Sequence, residues 1–344
     1  MSRDRAVLVV LAATLGACSG DSPNPFADII QTFAPASSAS IVFTSNGYVQ
    51  VPRAPRELFS IETSGAGLTR LTFCNVEPRR CDTAEASSAP DRQRMAVLRV
   101  LEDSDGNGLL NEADGQALVV TDLSRAVEGP LFPQSDRVSG VDWSAGGDVL
   151  VYSLVGEGGV DDLFRVDPNG ENNRNLTSTA DVRERRPRID PTGSVAVYER
   201  IEAGGKGRIF IFQSTLTQVP VTSGGPGTET LPGTLYVVGA DADPDYSPDG
   251  RSIVFRRLTG TGNGGLGTWD LLTVRTDGTS QAVVVTGPEY RGAPDWGPEG
   301  IVFNEVDPIA GTSELVVVAP DGTGRRTLLS IPAVLEISNP RWLP

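Results

Sequence analysis

One hairpin signal recurs along this chain about every fifty residues, and nothing else in the sequence limits the fold as much. Its best copy is Asp245-Tyr246-Ser247-Pro248-Asp249-Gly250-Arg251-Ser252-Ile253-Val254-Phe255. It reads as strand, tight turn, strand. Pro presets φ, Asp tolerates the bend, and Gly takes the position that other residues avoid. Related copies are Asp142-Trp143-Ser144-Ala145-Gly146-Gly147 before Val149, Pro187-Arg188-Ile189-Asp190-Pro191-Thr192-Gly193 before Val195, and Pro294-Asp295-Trp296-Gly297-Pro298-Glu299-Gly300 before Ile301. Aligned on the second strand, the anchors are Ile41, Met95, Val149, Val195, Ile253 and Ile301, with spacings of 54, 54, 46, 58 and 48 residues.

A repeat of this length means a solenoid or a propeller. Each unit shows β-branched or aromatic alternation, Gly/Pro turns and no helix, which favours four-stranded propeller blades. The 39 Gly and 25 Pro of the chain fit a turn-rich all-β protein, and 39% apolar residues can supply its core. Most units also carry a third strand, a turn and a fourth strand. Examples are Leu58–Ile61 to Leu68–Thr72, Leu271–Val274 with Asp277-Gly278, and Leu315–Val318 with Asp321-Gly322. The two ends complement one another. Asn339-Pro340-Arg341-Trp342-Leu343-Pro344 begins a seventh unit and stops, whereas Ile41-Val42-Phe43 is a second strand with no first strand before it. We therefore expect an all-β, six-bladed propeller over residues 41–344. Its C-terminal strand should pair with the first blade, place Trp342 inside it and leave no open edge.

At these turns the chain resembles the WD40-like (PD40) repeats of the TolB family of β-propellers. The Trp-Ser-Pro-Asp-Gly and Asp-Gly turns carry the likeness, which covers roughly residues 41–344 by the repeat count. It is strong in repeats three to six. Repeat two keeps only Ala89-Pro90-Asp91, with no Gly. The resemblance implies an envelope protein that binds rather than catalyses. Members of the Tol system carry a further N-terminal α/β domain. Here only about 20 residues separate Cys18 from the first strand, too few for a domain, so the Tol role itself is not expected.

Residues 1–17 read as an export signal. Arg3 and Arg5 precede an apolar run, Ala6 to Leu15, that is too short for a stable membrane span. Leu15-Gly16-Ala17-Cys18 resembles a bacterial lipobox, which implies lipidation of Cys18 and a polar tether over 18–40. Membrane attachment would be through that lipid alone. Ser19 after the cysteine implies an outer-membrane address, facing the periplasm or the cell surface. In an oxidising compartment Cys74 and Cys81 are expected to form a disulfide, worth about 2.5 kcal/mol in the chain-entropy model.

Composition removes several function classes. A formal charge of −15 opposes nucleic acid and anionic lipid. The sequence has no histidine, hence no Ser-His-Asp triad and no imidazole metal ligand. Neither a phosphate loop nor a nucleophile elbow is present. Asp103-Ser104-Asp105-Gly106-Asn107-Gly108-Leu109-Leu110-Asn111-Glu112-Ala113-Asp114, by contrast, follows the register of an EF-hand loop. Oxygen ligands fall at positions 1, 3, 5 and 12 (Asp103, Asp105, Asn107, Asp114), and a carbonyl is supplied by Leu109 at position 7. Asn111 at position 9 could act through water. The flanks read as strands, so this is a calcium-type loop set into a β-hairpin, with a structural role expected. Asp241, Asp243 and Asp245 are read as a solvated blade edge. Arg183, Arg185, Arg186 and Arg188, around Glu184, are read as loop-face charges able to hold an anion or to balance local charge.

In a four-stranded blade the first-to-second and third-to-fourth turns share one face. The longer loops share the other, and function tends to sit on long loops over a rigid scaffold. The sequence thus predicts a monomeric, non-enzymatic scaffold whose loop face takes a protein or a glycan. The alternative is a propeller hydrolase or lyase acting on a sugar or lactone.

Overall fold

A computed structural model describes residues 30–31, 38 and 40–344, except 48–53, 73, 77–78, 112–113, 123–126, 133–137, 156–159, 214–216, 263–264 and 288. The segment expected to be a signal peptide (1–17), Cys18 and most of the expected tether (18–40) lie outside the described residues. The described elements are strands, grouped into six principal antiparallel sheets. In blade 3 the strands are Val138–Trp143, Leu150–Val155, Asp161–Val166 and Arg174–Asn175, paired in sequence order. Blades 2, 4 and 5 repeat this meander, with inner strands Asp82–Ser88, Arg183–Ile189 and Asp241–Tyr246. In blade 6 the inner strand is split into Tyr290–Arg291 and Asp295–Gly297.

Blade 1 closes the ring. Its inner strand is Ile337–Trp342, which pairs antiparallel with Ile41–Ser45 through Ile41↔Trp342 and Val42↔Arg341. Leu343 N–H adds a bond to the Ser40 carbonyl at 2.8 Å. The incomplete repeats at the two ends therefore form one blade, as their sequences require. Ile30–Gln31 adds a parallel strand outside Thr69–Arg70 of that blade.

The turn chemistry acts as the sequence predicts. Gly147, Gly193 and Gly250 have φ of +70°, +77° and +67°. In the last turn Ser247 Oγ bonds the Asp249 carboxylate at 2.7 Å, and Gly250 N–H returns to the Ser247 carbonyl at 2.8 Å. Where repeat two lacks the glycine, Arg92 occupies the left-handed conformation instead, at φ +55°.

The core is divided among the blade–blade seams. Blades 6 and 1 share Phe43, Phe59, Val302, Leu315 and Ile337, all at most 1% exposed. The seam between blades 3 and 4 is thinner. Leu163, Tyr198, Phe210 and Phe212 are its buried apolar cluster. At its loop-face end sits Glu184, fully buried, with no hydrogen-bond partner on either carboxylate oxygen.

Candidate functional site

The innermost strand of each blade is an edge strand, so its outward N–H groups need partners from elsewhere. Carboxylates of the neighbouring blade supply several of them. Asp142 accepts the N–H of Ile189 at 2.9 Å, Asp245 that of Trp296 at 2.7 Å, and Asp295 that of Trp342 at 2.7 Å. Donor and acceptor occupy fixed positions in the repeat, so one bond recurs around the channel. The six residues at the acceptor position are Ser87, Asp142, Arg188, Asp245, Asp295 and Arg341. The arginines cross the channel. Arg188 reaches Glu85 at 3.0 Å, and Arg341 lies 2.8 Å from Asp142 and 3.2 Å from Asp295.

Two residues before this position the inner strands bulge. Gly140, Arg186, Asp243 and Asn339 take φ of +79°, +51°, +50° and +47°. A Cβ at Gly140 would lie 2.5 Å from Arg186 Cα, so only glycine admits the neighbouring strand there. Non-glycine residues in this conformation cost about 1–2 kcal/mol each. Their side chains offset that here: Arg186 pairs with Asp243 at 2.7 Å, and Asn339 donates to the Ala84 carbonyl at 2.7 Å.

This arrangement corrects one reading of the sequence and decides between the alternatives of another. Asp241, Asp243 and Asp245 are not a solvated edge. Asp241 and Asp243 are buried and paired, Asp241 with Arg257 at 2.5 Å and Asp243 with Arg186 and Arg256. Asp245 belongs to the channel belt. For the arginine run the pairing selects the second of its two readings, local charge balance, over an anion site. Arg183 and Arg185 both hold Asp161 at 3.0 Å, while Arg186 and Arg188 are spent on Asp243 and Glu85. The physical reason is the same in both cases. Each buried carboxylate lies against arginines of its own blade's second strand or of an adjacent blade's inner strand, Asp241 on Arg257, Asp243 on Arg256 and Arg186, and Asp161 on Arg183 and Arg185.

The belt perturbs its carboxyl groups. Burial pushes Asp245 well above the usual carboxylate range, and the nearby Asp295 charge adds to that. Asp295 is also raised by burial, against the opposing pull of Arg341. Toward the loop face, Glu199 accepts the Tyr236 hydroxyl at 2.6 Å and the Asp243 N–H at 3.2 Å. Burial and the Asp243 charge raise Glu199. For Asp243, burial is outweighed by Arg186 and Arg256, which hold it below its usual range. Tyr236 comes from a loop whose ends meet, Gly225 N–H bonding the Gly239 carbonyl at 2.6 Å. That loop covers the pair.

The calcium-type loop joins the second and third strands of blade 2, on the loop face. Carboxylate oxygens of Asp103, Asp105 and Asp114 converge within 4.8 Å of one another. Backbone N–H groups orient them. Asp103 accepts from Gly106 at 2.8 Å and Gly108 at 2.7 Å, and Asp114 accepts from Ser104 at 2.9 Å and Asn111 at 3.0 Å. The donors, Asn111 first, hold Asp114 below the usual carboxylate range. Gly106 makes the curl with φ +71°. Asn107 lies inside it, its amide donating to Asp105 at 2.8 Å and its oxygen accepting from Leu109 N–H at 2.8 Å. The three gathered carboxylates and the glycine curl fit a hard divalent cation. On the same face Cys74 and Cys81 are joined, their Cα atoms 4.5 Å apart, around a short hairpin.

No family model and no curated protein matches this sequence. Solved structures do match the fold. TolB from Acinetobacter baumannii superposes with a TM-score of 0.67 at 14% identity, over 89% of this chain and 67% of that one. A putative TolB from Agrobacterium tumefaciens gives 0.56 at 16% identity, over 89% and 99%. An oligogalacturonate lyase in complex with manganese gives 0.51 at 15% identity, over 87% and 75%. At such identities the likeness is one of architecture: the chain is a six-bladed β-propeller, with the fold that the TolB propellers share.

Proposed function

We propose that this protein is an exported, non-enzymatic scaffold of the cell envelope, anchored through lipid on Cys18. Its loop face would bind a protein or glycan partner, with calcium held by Asp103, Asp105, Asn107, Leu109 and Asp114 to order one rim of that face. The observation that carries the reading is the distribution of exposed apolar side chains. Among the described residues the large exposed ones are Leu101, Leu109, Val219, Leu235, Leu266, Val283, Ile309 and Val334. All but Val219 and Val283 lie in second-to-third-strand loops or blade-to-blade connections, hence on the loop face. Ile309 and Val334, at 89% and 70% exposure, occupy loops joined by the Ala333 N–H to Gly311 carbonyl bond. The joined Ile309 and Val334 loop tips, the most exposed of these, are the patch on which the reading rests.

The test is capture from the native envelope with wild-type protein and with the Ile309→Asp, Val334→Asp double variant. A stoichiometric partner retained by wild type and lost by the variant supports the reading. Equal capture by both contradicts it. A hydrolase or lyase acting on a sugar or lactone is the second reading. It draws on Glu199 and Asp243, two carboxyl residues brought together where Glu199 accepts the Asp243 N–H at 3.2 Å. Turnover of a sugar or lactone panel that disappears in Glu199→Gln would establish it in place of the first.

A further inference from the structure

Blade 3 carries an arginine where other blades carry a packing residue. Arg165 lies opposite Val151, on the side of the sheet that faces blade 4. In blades 2, 4 and 6 the same position holds Val120, Ile211 and Val317, each packed into the seam with the following blade. Blades 1 and 5 hold the small, uncharged Ser60 and Thr273 there. The next strand of blade 3 repeats the charge, because Arg174 stands directly opposite Arg165. Like charges at opposed positions of a sheet destabilise it. Arg174 is exposed, and among the described residues its guanidinium has no hydrogen bond or ion pair. The Arg165 side chain is 31% exposed, and its ion-pair partner, Asp167, is 3.7 Å away.

With no packing residue at this point, the seam between blades 3 and 4 stays open toward the turn face. The opening is a groove of ≈ 390 Å³, within the range of small-ligand sites. Val149, Val151, Leu176, Val195 and Phe212 give it an apolar floor, and Arg165 and Arg174 line it from the two outer strands of blade 3. The acidic groups beside the arginines have other partners. Asp148 takes the Ser144 hydroxyl at 2.7 Å, and Asp167 takes the Asn172 amide at 2.6 Å. They limit the groove to a single negative charge, since a polyanion would meet both carboxylates. A carboxylate matches the planar fork of a guanidinium, which can hold it through two hydrogen bonds. We propose that this groove is a binding site for a small monocarboxylate with an apolar body, its carboxylate between Arg165 and Arg174 and its hydrocarbon on the Val151, Leu176 and Phe212 floor. The groove is on the face opposite the one assigned to the partner, and its failure would leave that assignment standing.

The test is methyl NMR of the full chain, following Val151, Leu176 and Val195 during titration with octanoate and phenylpropionate. Octanol, acetate and octylammonium serve as controls. At least one of the two acids should shift all three residues saturably, with a Kd of about 1 mM or tighter. Octanol lacks the charge and acetate lacks the apolar body, so each should bind at least about tenfold more weakly. Octylammonium should leave the three signals in place. Arg174→Gln, at an exposed position, should keep or raise the melting temperature and weaken binding of the acid about tenfold. Arg165→Val installs the residue of blades 2 and 6 and should abolish binding. Groove methyls unmoved by both acids would overturn the proposal, as would octanol binding as tightly as octanoate. The wild-type titration gives either result without relying on a variant, and undiminished affinity in both variants would overturn it as well.

Discussion

Replacing Asp295 with alanine tests how the ring is held shut. Its carboxylate takes the Trp342 N–H at 2.7 Å and lies 3.2 Å from Arg341, and Trp342 is the last paired residue of the closing strand. Alanine leaves a buried N–H without an acceptor, which costs about 1–3 kcal/mol. It also leaves Arg341, 5% exposed, with Asp142 as its remaining ion-pair partner at 2.8 Å. Breaking one side of a buried pair brings the total to about 3–5 kcal/mol. Asp295→Asn keeps an acceptor for the N–H and should lose about 1–2 kcal/mol. Urea unfolding at neutral pH measures both, with an unchanged m-value as the check that the same ring is unfolding. An alanine variant within about 1 kcal/mol of wild type, or an asparagine variant as unstable as alanine, would refute the role given to the belt.

Further outcomes follow from single residues. Arg92→Gly should stabilise the protein by about 0.5–1 kcal/mol, since the strain of φ +55° outweighs the entropy glycine adds to the unfolded chain; thermal melts read it. Burial raises the Glu184 carboxyl, so the folded state holds a proton there that the unfolded state releases. Wild-type stability from this group is therefore full below the ordinary carboxylate pKa and is lost as pH rises through the raised one. Glu184→Gln should match wild type near pH 4 and exceed it by about 1–3 kcal/mol at pH 8, seen in paired urea melts. Calcium at about 100 times its Kd should add about 2.7 kcal/mol. EGTA or Asp103→Asn should abolish that gain, and a melting curve indifferent to EGTA would remove the ion from the account.

The blade count and the closure were legible because they rest on repeat-length signals. A first strand missing at Ile41 and an extra one ending at Trp342 can only be reconciled by pairing them, as the Ile41↔Trp342 register shows. The convergence of Asp103, Asp105 and Asp114 was legible because their spacing is local, within twelve positions of sequence. The channel belt was not. Asp142, Asp245 and Asp295 stand within the turn motif itself, yet each acts on a backbone N–H one repeat away, where no local pattern points. Alternating carboxylates at 241, 243 and 245 read as exposed because a charged strand face usually is. A usable signal lay one repeat upstream. Arg186 and Arg188 occupy the same repeat positions as Asp243 and Asp245, and opposite charges at equivalent positions of adjacent blades announce a buried pairing. The apolar loop tips were likewise hidden, since single residues such as Ile309 and Val334 form a surface only when the blades bring their loops to one side.

Position-resolved photo-crosslinking in the native envelope addresses the loop-face assignment most directly. A photoreactive residue is placed in turn at Ile309, Val334, Leu235 and Leu266 on the loop face, and at Asp249, Asp190 and Asp277 on the turn face. The account predicts one discrete adduct from at least two neighbouring loop-face positions and none from the turn face. The same adduct arising from the turn face, with the loop-face positions silent, would contradict it.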